Sequence, residues 1–451
     1  RLSGALAAIG SGQTSTTLLN LRQDATLDLN AAGPSVSNWT GAANAARISI
    51  GALVGSGSVV NTNASPAILN LGNGGANGTF TGSINQTAGA ITLVKNGGGT
   101  LVLAGANSYD GITDITAGTL IAASNTAIGA GGHSGETMSY IRDGATLALQ
   151  GGVSLDEHFH VWGAGVGDLG AVRSLSGNNA LTNSPGGGPG FALRTNTVVG
   201  VDADTLTVSG FYQDGGSFGL TKVGTGTLVL SVSNIYTGDT TVSAGTLIIN
   251  GSTSNASAVT VGLNGTLGGT GTVGGNTTIS GIHSPGNSPG IQTFTGNLSY
   301  VDAGAPGPTV NWELASNTTT VGVNPTANFD QIIVGGNLDF THPTIINLSF
   351  NGAGSTVLWS DSLWDANQSW LLYDVAGITT NIANLNLSTI NWLDSGSNLF
   401  STAGGSFTLS QNGEDVMLNF AAVPEPSTYG IGLGAMALAS AAVRRQRRKK
   451  S

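Results

Sequence analysis

Two glycine-rich motifs carry the letter patterns of catalytic or nucleotide-binding loops. Residues 286–290, with the sequence G-N-S-P-G, fit the G-x-S-x-G pattern that presents a nucleophilic serine. Residues 165–170, with the sequence G-V-G-D-L-G, fit the G-x-G-x-x-G pattern that cradles a pyrophosphate. However, Pro289 lacks the N–H that would stabilise an oxyanion, and no amphipathic helical pattern follows either motif. We therefore predict that 286–290 are not catalytic and that 165–170 form a backbone corner.

A pair of histidines has the spacing to bind a divalent metal ion. His158 and His160 are two residues apart, so on a strand they would share one face, with Asp156 as a third ligand. No other ligand follows at a regular spacing. We therefore predict that both imidazoles lie on a solvated outer face, and that the chain holds no metal and no cofactor.

One acidic pair would be the starting point for polysaccharide cleavage. Lyases and glycoside hydrolases need carboxylates close to one another or to a basic residue. Asp202 and Asp204 are a tight acidic pair, and Arg194 is ten residues before Asp204. Because no nucleophile, base and oxyanion site occur together, we predict no catalytic residues and no enzymatic activity. A polysaccharide lyase remains the enzymatic alternative.

The composition favours an extracellular chain with a buried core. Glycine accounts for 72 of 451 residues, and charged residues for only 8%, yet 39% of the residues are hydrophobic. Such a chain can bury apolar surface, unlike a disordered one. The absence of cysteine excludes disulfides, thiol nucleophiles and thiolate metal sites. Stability must therefore come from packing and backbone pairing.

The charge is distributed very unevenly along the chain. The net charge is −10, but six of the 14 basic residues lie within 444–450. Residues 1–443 thus carry 8 basic and 24 acidic groups. An acidic body of this kind would repel phosphate backbones, so we predict that nucleic acid is not a partner.

A repeat organises the sequence. Residues 93–121 align without gaps on 220–248 and match at 17 of 29 positions. Both copies contain a lysine, the strand-like segment GTLVL, an asparagine, a tyrosine and the segment AGTLI. We interpret the lysines, Lys95 and Lys222, as strand-edge charges that discourage pairing with other chains.

Short repeated strands of this kind predict an all-β solenoid. Each strand has about five residues with Thr, Leu and Val in alternation, bounded by turn residues. Such a strand cannot bury its apolar face alone, so units must stack. A propeller would need four-stranded units with an aromatic signature, which is absent. We therefore predict a right-handed parallel β-helix over residues 1–298, with about a dozen coils.

The two repeat copies resemble the autotransporter-associated β-strand repeat. That family's pattern is approximately K-x-G-x-G-T-L-x-L-x-G-x-N-x-Y-x-G-x-T-x-I-x-x-G-T-L, and it builds the passenger stalk displayed on a bacterial surface. The resemblance implies an exported surface protein with a structural or adhesive role. The second copy departs from the pattern at Val232, where the first has Gly105, which puts one corner in doubt.

From about residue 300 the repeat rhythm stops and tryptophans accumulate. We predict an irregular β cap over residues 299–420, because the last coil of a solenoid needs its open edge covered. Five of the seven tryptophans lie in this segment: Trp312, Trp359, Trp364, Trp370 and Trp392.

Residues 421–451 have the arrangement of a membrane-sorting tail. An apolar run from Tyr429 to Val443 follows a Pro-Glu-Pro motif and precedes a basic end. This arrangement resembles the PEP-CTERM sorting signal, which implies recognition and cleavage by an exosortase in the inner membrane. The motif comprises Val423, Pro424, Glu425, Pro426 and Ser427, and the basic end comprises Arg444, Arg445, Arg447, Arg448, Lys449 and Lys450.

The tail predicts a short transmembrane helix that anchors a precursor only transiently. Fifteen residues in a helix span about 22 Å, which is short for a bilayer core of about 30 Å. The basic end should remain cytoplasmic and leave the body outside. Since residue 1 is arginine and no signal peptide is recognisable, we expect a secretion signal upstream.

The predicted function is therefore a non-enzymatic protein of the bacterial cell surface or extracellular matrix, sorted and cleaved at its C-terminus. An extracellular polysaccharide is a candidate partner. A glycan- or ice-binding surface protein is the alternative from another class, and the lyase is a weaker one.

Overall fold

The structure is a computed structural model that describes residues 18–29, 46–129, 139–182, 190–287, 289–302, 304–318, 328–388, 392–402 and 404–423. These residues form β-strands and short 3-10 turns, without an α-helix. In the described part of the chain, no helix is long and apolar enough to cross a membrane. The predicted transmembrane helix, at 429–443, lies outside the described residues.

The strands are short, as the repeat pattern predicts. In chain order they are β1 Leu18–Leu21, β2 Thr26–Asp28, β3 Ala46–Ile50, β4 Ala52–Gly55, β5 Ser58–Asn61, β6 Ala67–Leu71, β7 Gly78–Phe80, β8 Ser83–Gln86, β9 Ile91–Lys95, β10 Thr100–Leu103, β11 Thr113–Ile115, β12 Gly118–Ala122, β13 Ser139–Ile141, β14 Ala145–Gln150, β15 Ser154–Asp156, β16 Phe159–Val161, β17 Val172–Ser176, β18 Asn179–Thr182, β19 Phe191–Leu193, β20 Thr197–Val201, β21 Thr205–Val208, β22 Phe211–Gln213, β23 Leu220–Val223, β24 Thr227–Leu230, β25 Thr240–Ile249, β26 Val259–Gly269, β27 Thr272–Val273, β28 Thr277–Ile279, β29 Ile282–Pro285, β30 Ile291–Phe294, β31 Leu298–Tyr300, β32 Thr309–Glu313, β33 Gln331–Val334, β34 Leu338–Phe340, β35 Thr344–Ser349, β36 Gln368–Val375, β37 Thr379–Thr380, β38 Leu385–Leu387, β39 Gly405–Asn412 and β40 Asp415–Ala422. The 3-10 turns are Asn73–Gly75, Val166–Asp168, Ser362–Asp365 and Ile382–Asn384.

The strands pair in parallel across successive coils. They form sheets of 23, 8, 6 and 3 strands, and the eight-stranded sheet has the order β22-β19-β16-β13-β11-β9-β6-β3. Among the described strands, only β36, β39 and β40 pair antiparallel. The all-β prediction is therefore confirmed, and the long parallel sheets are consistent with the predicted β-helix. Its right-handedness stays a prediction.

Leucine columns fill the interior because side chains alternate in direction along each strand. Leu101, Leu120 and Leu147 are in register on β10, β12 and β14, and each is at most 3% exposed. Burying one leucine contributes roughly 1.5–3 kcal/mol, so stacked coils supply what a single short strand cannot.

The coil length changes near the boundary predicted at residue 298. Thr240 pairs with Val259, nineteen residues later, whereas Leu298 pairs with Leu338, forty residues later, and Leu338 with Thr379. Parallel pairing nevertheless continues through β38, within the segment 299–420 for which we predict a cap, and that domain boundary stays a prediction. Longer connections enlarge each coil here without breaking its register.

The antiparallel hairpin β39–β40 closes the described C-terminal end. It extends the sheet from β36 and covers an aromatic cluster, in which the Trp364 and Phe420 rings are 5.0 Å apart and the Trp392 and Phe407 rings 5.1 Å. All five tryptophans named above contact other aromatic rings of this region. The hairpin thus ends the solenoid with paired strands and buried rings.

Candidate functional site

The first repeat lysine is buried, so the prediction of a strand-edge charge is wrong. Lys95 occupies an inward position at the end of β9 and is 0% exposed. Its Nζ donates to the carbonyl oxygens of Asn96, Gly97 and Ala117 at 3.2, 2.8 and 2.9 Å. Burial lowers the pKa of the ammonium to about 8, so it remains protonated at pH 7. The three N–H donors of the ammonium group therefore link the corner after β9 to the corner of the next coil.

The second repeat builds the same lysine niche. Lys222 is also 0% exposed, and its Nζ donates to the carbonyl oxygens of Val223, Gly224 and Ala244 at 3.0, 2.8 and 3.1 Å. Burial lowers its pKa to about 8 as well. Gly245 has a φ of +67°, and a Cβ there would lie 2.9 Å from the Lys222 Nζ. Glycine is thus required at this position of AGTLI for two reasons: its positive φ and the proximity of the Lys222 ammonium group.

The repeat asparagine and tyrosine are structural too. The Asn107 side chain accepts from the Ile84 N–H at 2.8 Å and donates to the Ala127 carbonyl at 2.6 Å, which joins three coils. The fully buried Tyr109 hydroxyl lies 2.8 Å from the Thr113 hydroxyl. Asn234 and Tyr236 lie in the corresponding places of the second copy. The shared repeat residues therefore hold coils together.

A group of aromatic and charged side chains lies on the outer face of the eight-stranded sheet. Four in-register tetrapeptides, S-Y-I-R (139–142), F-H-V-W (159–162), F-A-L-R (191–194) and F-Y-Q-D (211–214), place two outward positions on each coil. We call this surface the Trp162 face; it comprises Asp114, Tyr140, Arg142, His160, Trp162, Arg194, Tyr212 and Asp214.

Two arginines flank Trp162, and each is paired with a carboxylate. Arg142 makes a bidentate pair with Asp114, and its guanidinium carbon lies 4.3 Å from the centre of the Tyr140 ring. The guanidinium carbons of Arg142 and Arg194 lie 5.2 and 5.9 Å from the Trp162 ring. These cation–π contacts fix the positions of the rings.

The other end of this face is held by Arg194. Its Nη2 lies 2.7 Å from the Asp214 carboxylate and 3.0 Å from His160 Nδ1. Burial and the two neighbouring arginines lower the pKa of His160 to about 4, against a weaker opposing effect of Asp214. His160 is therefore neutral at pH 7, and its Nδ1 accepts because arginine has no acceptor.

The histidine prediction is wrong in its placement. His158 and His160 are only 6% and 8% exposed, so neither lies on a solvated surface. His160 packs edge-on against Tyr140 and Trp162, which excludes water from its ring. No group of three or more metal-binding side chains occurs within the described ranges. Tyr140 and Trp162 were missed by the sequence reasoning, although the tetrapeptide alternation at coil spacing was a usable signal.

Both repeat copies match a known family. Residues 93–122 and 220–249 match the Passenger-associated-transport-repeat family. We refer to these two segments as the transport repeats. These ranges include the buried lysine, asparagine and tyrosine of each copy. The resemblance to autotransporter-associated repeats is thus confirmed for these two segments.

One relative covers a longer part of the chain. The protein named Adhesin BmaC autotransporter, from Brucella suis biovar 1 (strain 1330), is 32% identical over 207 residues. The match covers 45% of this chain and 5% of the relative. The chain therefore spans only a small part of the length of that protein.

The three residues considered for lyase chemistry lie in separate contacts between the transport repeats. Asp202 forms an ion pair with Arg173 at 2.7 Å, and Asp204 accepts from the Gly177 N–H at 2.7 Å. Arg194 belongs to the Trp162 face. Each of the three residues therefore joins neighbouring coils.

One of the two glycine motifs forms a backbone corner. Within 165–170, Gly165 and Gly167 have φ of +76° and +64° around a single 3-10 turn, which confirms the predicted corner. In 286–290, the Gly290 N–H donates to Asp330 Oδ1 at 2.8 Å. Ser288 lies outside the described residues.

A surface cleft of about 550 Å³ opens beside Gly286 and is lined by Glu313 and Asp330. Burial, reinforced by Glu313, raises the pKa of Asp330 well above its usual value.

A buried hydrogen-bonded chain runs through the core after the second transport repeat, and the sequence reasoning missed it. The Tyr373 hydroxyl donates to the Tyr300 hydroxyl at 3.0 Å. The Tyr300 hydroxyl in turn lies 2.6 Å from His283 Nδ1. His283 Nε2 lies 2.8 Å from Gln292 Oε1, and Gln292 Nε2 donates to the Gly268 carbonyl. A neutral His283 with its proton on Nε2 satisfies the whole chain.

This chain predicts acid sensitivity. Burial lowers the pKa of His283 to about 4, from 6.5. Between these pH values the unfolded state binds more protons, so stability is lost as pH falls from 6.5 towards 4, by up to about 3 kcal/mol. His283→Gln should lower the free energy of unfolding at pH 7. It should also reduce the dependence of that free energy on pH between 6.5 and 4, by up to one bound proton. Urea denaturation at several pH values measures both effects. An unchanged slope would contradict the assignment.

The predicted sorting motif begins where the described residues end. Val423 is 53% exposed and donates its N–H to the Gly404 carbonyl beside the end of β40. Pro424, Glu425, Pro426 and Ser427 lie outside the described residues, as do the basic residues from Arg444 to Lys450. Their roles therefore stay predictions.

Proposed function

We propose that the chain is part of an exported bacterial surface protein in which stacked coils form a stalk with a structural or adhesive role. The observation that carries the proposal is the pair of transport repeats, in which the shared lysines form hydrogen bonds between neighbouring coils. The relative named as an autotransporter adhesin supports an adhesin-like role. We also propose that the body acts without catalysis or cofactor, and the contacts of Arg194, Asp202 and Asp204 with neighbouring coils support this.

Surface display can be tested by protease shaving of intact bacterial cells that express the protein from its own gene. Peptides from 93–122 and 220–249 should be released from intact cells, while a cytoplasmic marker protein stays intact. Recovery of these peptides only after lysis would overturn the proposal.

We further propose that residues 421–451 act as a PEP-CTERM sorting tail. The apolar run would insert transiently in the inner membrane, and the basic end would hold the orientation. An exosortase-type membrane protease would then cut near Pro424–Pro426. Proline fixes φ and lacks an N–H, so Pro-Glu-Pro resists joining a strand or a helix and stays accessible. Val423, exposed at the end of the last strand, supports accessibility at that point.

Glu425→Ala should leave membrane insertion intact but impair cleavage, because Glu425 is the only charge between Asp415 and Arg444. We expect wild-type protein released from cells to lack residues 429–451, and the variant to accumulate in the membrane fraction. Intact-mass spectrometry of both fractions measures this. Neutralising Arg444–Lys450 is the matched comparison, and it should disturb orientation first. Normal release of Glu425→Ala would contradict the sorting hypothesis, and a membrane-bound chain that retains residues 429–451 in the wild type would indicate a plain tail anchor.

A glycan-binding role is the second candidate, and the Trp162 face is the observation that favours it. Aromatic rings beside planar charged groups are a common means of fixing a ligand in a protein surface. We propose it as an addition to the stalk role. Ice binding and polysaccharide cleavage remain weaker alternatives.

A further inference from the structure

Outside the C-terminal aromatic cluster, the described chain leaves few aromatic rings at its surface. Before residue 299, the partly exposed aromatic side chains are Tyr140, Trp162, Tyr212 and Phe218 among the described residues. Three of the four belong to the Trp162 face. Burial of rings is strongly favourable, so their concentration on one outer face calls for a specific explanation.

The polar groups beside these rings are held in place. Asp114 pairs with Arg142 through two hydrogen bonds, and Arg194 pairs with Asp214. The arginine side chains are 29% and 28% exposed, and Asp214 is 47% exposed. The Arg194–Asp214 pair therefore presents planar donors and acceptors at the surface, whereas Arg142 presents donors only, since Asp114 is 6% exposed. Neighbouring hydroxyl groups of a sugar ring can donate to a carboxylate and accept from a guanidinium at the same time.

The charge balance of this face selects against anions. Each guanidinium already has a carboxylate partner, and His160 is neutral, so no positive charge is left over. Asp143, whose carboxylate lies against Gly163 at the margin of the face, adds a negative charge. With 24 acidic and 14 basic residues in the whole chain, an anionic polymer would be repelled.

The shape of the face fits an extended ligand. Its residues come from five adjacent parallel strands, β11, β13, β16, β19 and β22. Strands in a sheet are about 4.8 Å apart, so the face is about 19 Å long. A polymer lying along the solenoid axis would meet a ring or an ion pair on most coils.

We propose that the Trp162 face binds a neutral polysaccharide, whose chain lies along the solenoid axis across Tyr140, Trp162 and Tyr212. This inference rests on the proposed surface role and deepens it by naming the binding surface and the ligand class. Hydroxyl groups meet Arg142 and the Arg194–Asp214 pair, and the apolar faces of the sugar rings meet the aromatic side chains.

The test is affinity electrophoresis of the full chain in native gels that contain one polymer each. The neutral polymers are dextran, soluble β-glucan and galactomannan, and the anionic ones are alginate and polygalacturonate. We expect at least one neutral polymer to retard the chain, and raising NaCl from roughly 0.05 to 0.5 M to leave the retardation unchanged. Trp162→Ala should weaken binding about tenfold, as loss of a central aromatic contact does.

Three controls keep the result interpretable. Trp162→Phe retains a ring and should recover part of the binding, while Ile378→Ala and Leu399→Ala remove exposed apolar side chains from the region after residue 298 and should bind as wild type. Hydrogen exchange over 159–162 checks that Trp162→Ala keeps its coil.

Several outcomes would overturn the proposal: no retardation by any neutral polymer, salt-sensitive retardation by the anionic ones alone, or wild-type binding by Trp162→Ala. Because protease shaving measures surface display independently, failure of this inference is distinguishable from failure of the proposed function.

Discussion

Lys222→Met is expected to destabilise the second transport repeat by roughly 2 to 4 kcal/mol. The substitution keeps most of the side-chain volume but removes all three N–H donors. The carbonyl oxygens of Val223, Gly224 and Ala244 then lose their shared partner. Hydrogen bonds to charged groups are stronger than neutral ones, and a buried acceptor without a donor is costly.

The measurement must be local because solenoid stability is distributed over neighbouring coils. Hydrogen exchange followed by mass spectrometry should show faster exchange in β23, β24 and β25, with little change beyond β28. Lys95→Met should produce the same effect one repeat earlier, around β9, β10 and β12. These two variants test the same niche in two contexts.

Arg173→Met is the matched control for the loss of a cation. Arg173 also joins two coils, through Asp202, but its side chain is 28% exposed and its partner 34% exposed. Exposed ion pairs contribute about 0–1 kcal/mol, so this variant should be nearly neutral. If Lys222→Met were as mild as Arg173→Met, the lysine niche would be dispensable and the interpretation of the repeat would fail.

The architecture was largely predictable, because β-strand alternation and glycine corners are local signals. GTLVL and AGTLI specify inward leucines, and β24 and β25 have this alternation. Continued parallel pairing beyond residue 298 was not predictable. It depends on pairs such as Leu298 with Leu338, which are forty residues apart and share no repeat pattern.

The candidate site was predictable only in part, because burial of a polar residue depends on its partners. A lysine in a strand pattern normally indicates exposure, and the three carbonyl oxygens that bury Lys95 come from two different coils. His283 was missed for the same reason, since its partners Gln292 and Tyr300 lie on other strands. The sequence analysis considered His160 and Arg194 for other chemistry and passed over the rest of the Trp162 face, because these residues become a group only through the register of the coils.

The position where the two transport repeats differ indicates how coils approach each other. A Cβ on Gly105 would lie 1.7 Å from the Gly82 carbonyl oxygen, so no side chain fits there. In the second repeat Val232 is 43% exposed. The close approach has moved to the next corner, where a Cβ on Gly251 would lie 2.0 Å from the Val232 carbonyl oxygen. The second repeat therefore does not need a glycine at position 232. The glycine that close backbone contact requires lies one coil later, at Gly251.

Gly105→Val should consequently destabilise the first repeat by roughly 4 kcal/mol or more, since the clash is with backbone and cannot be relieved by a rotamer change. Gly251→Val should be equally severe. Val232→Gly should cost less than about 1 kcal/mol, the price of added backbone freedom alone. Hydrogen exchange in β10 and β12, and in β24 and β25 for the second repeat, measures all three. If Gly105→Val were as stable as Val232→Gly, the coils would be able to separate at this corner. The close approach would then not restrict position 105 to glycine.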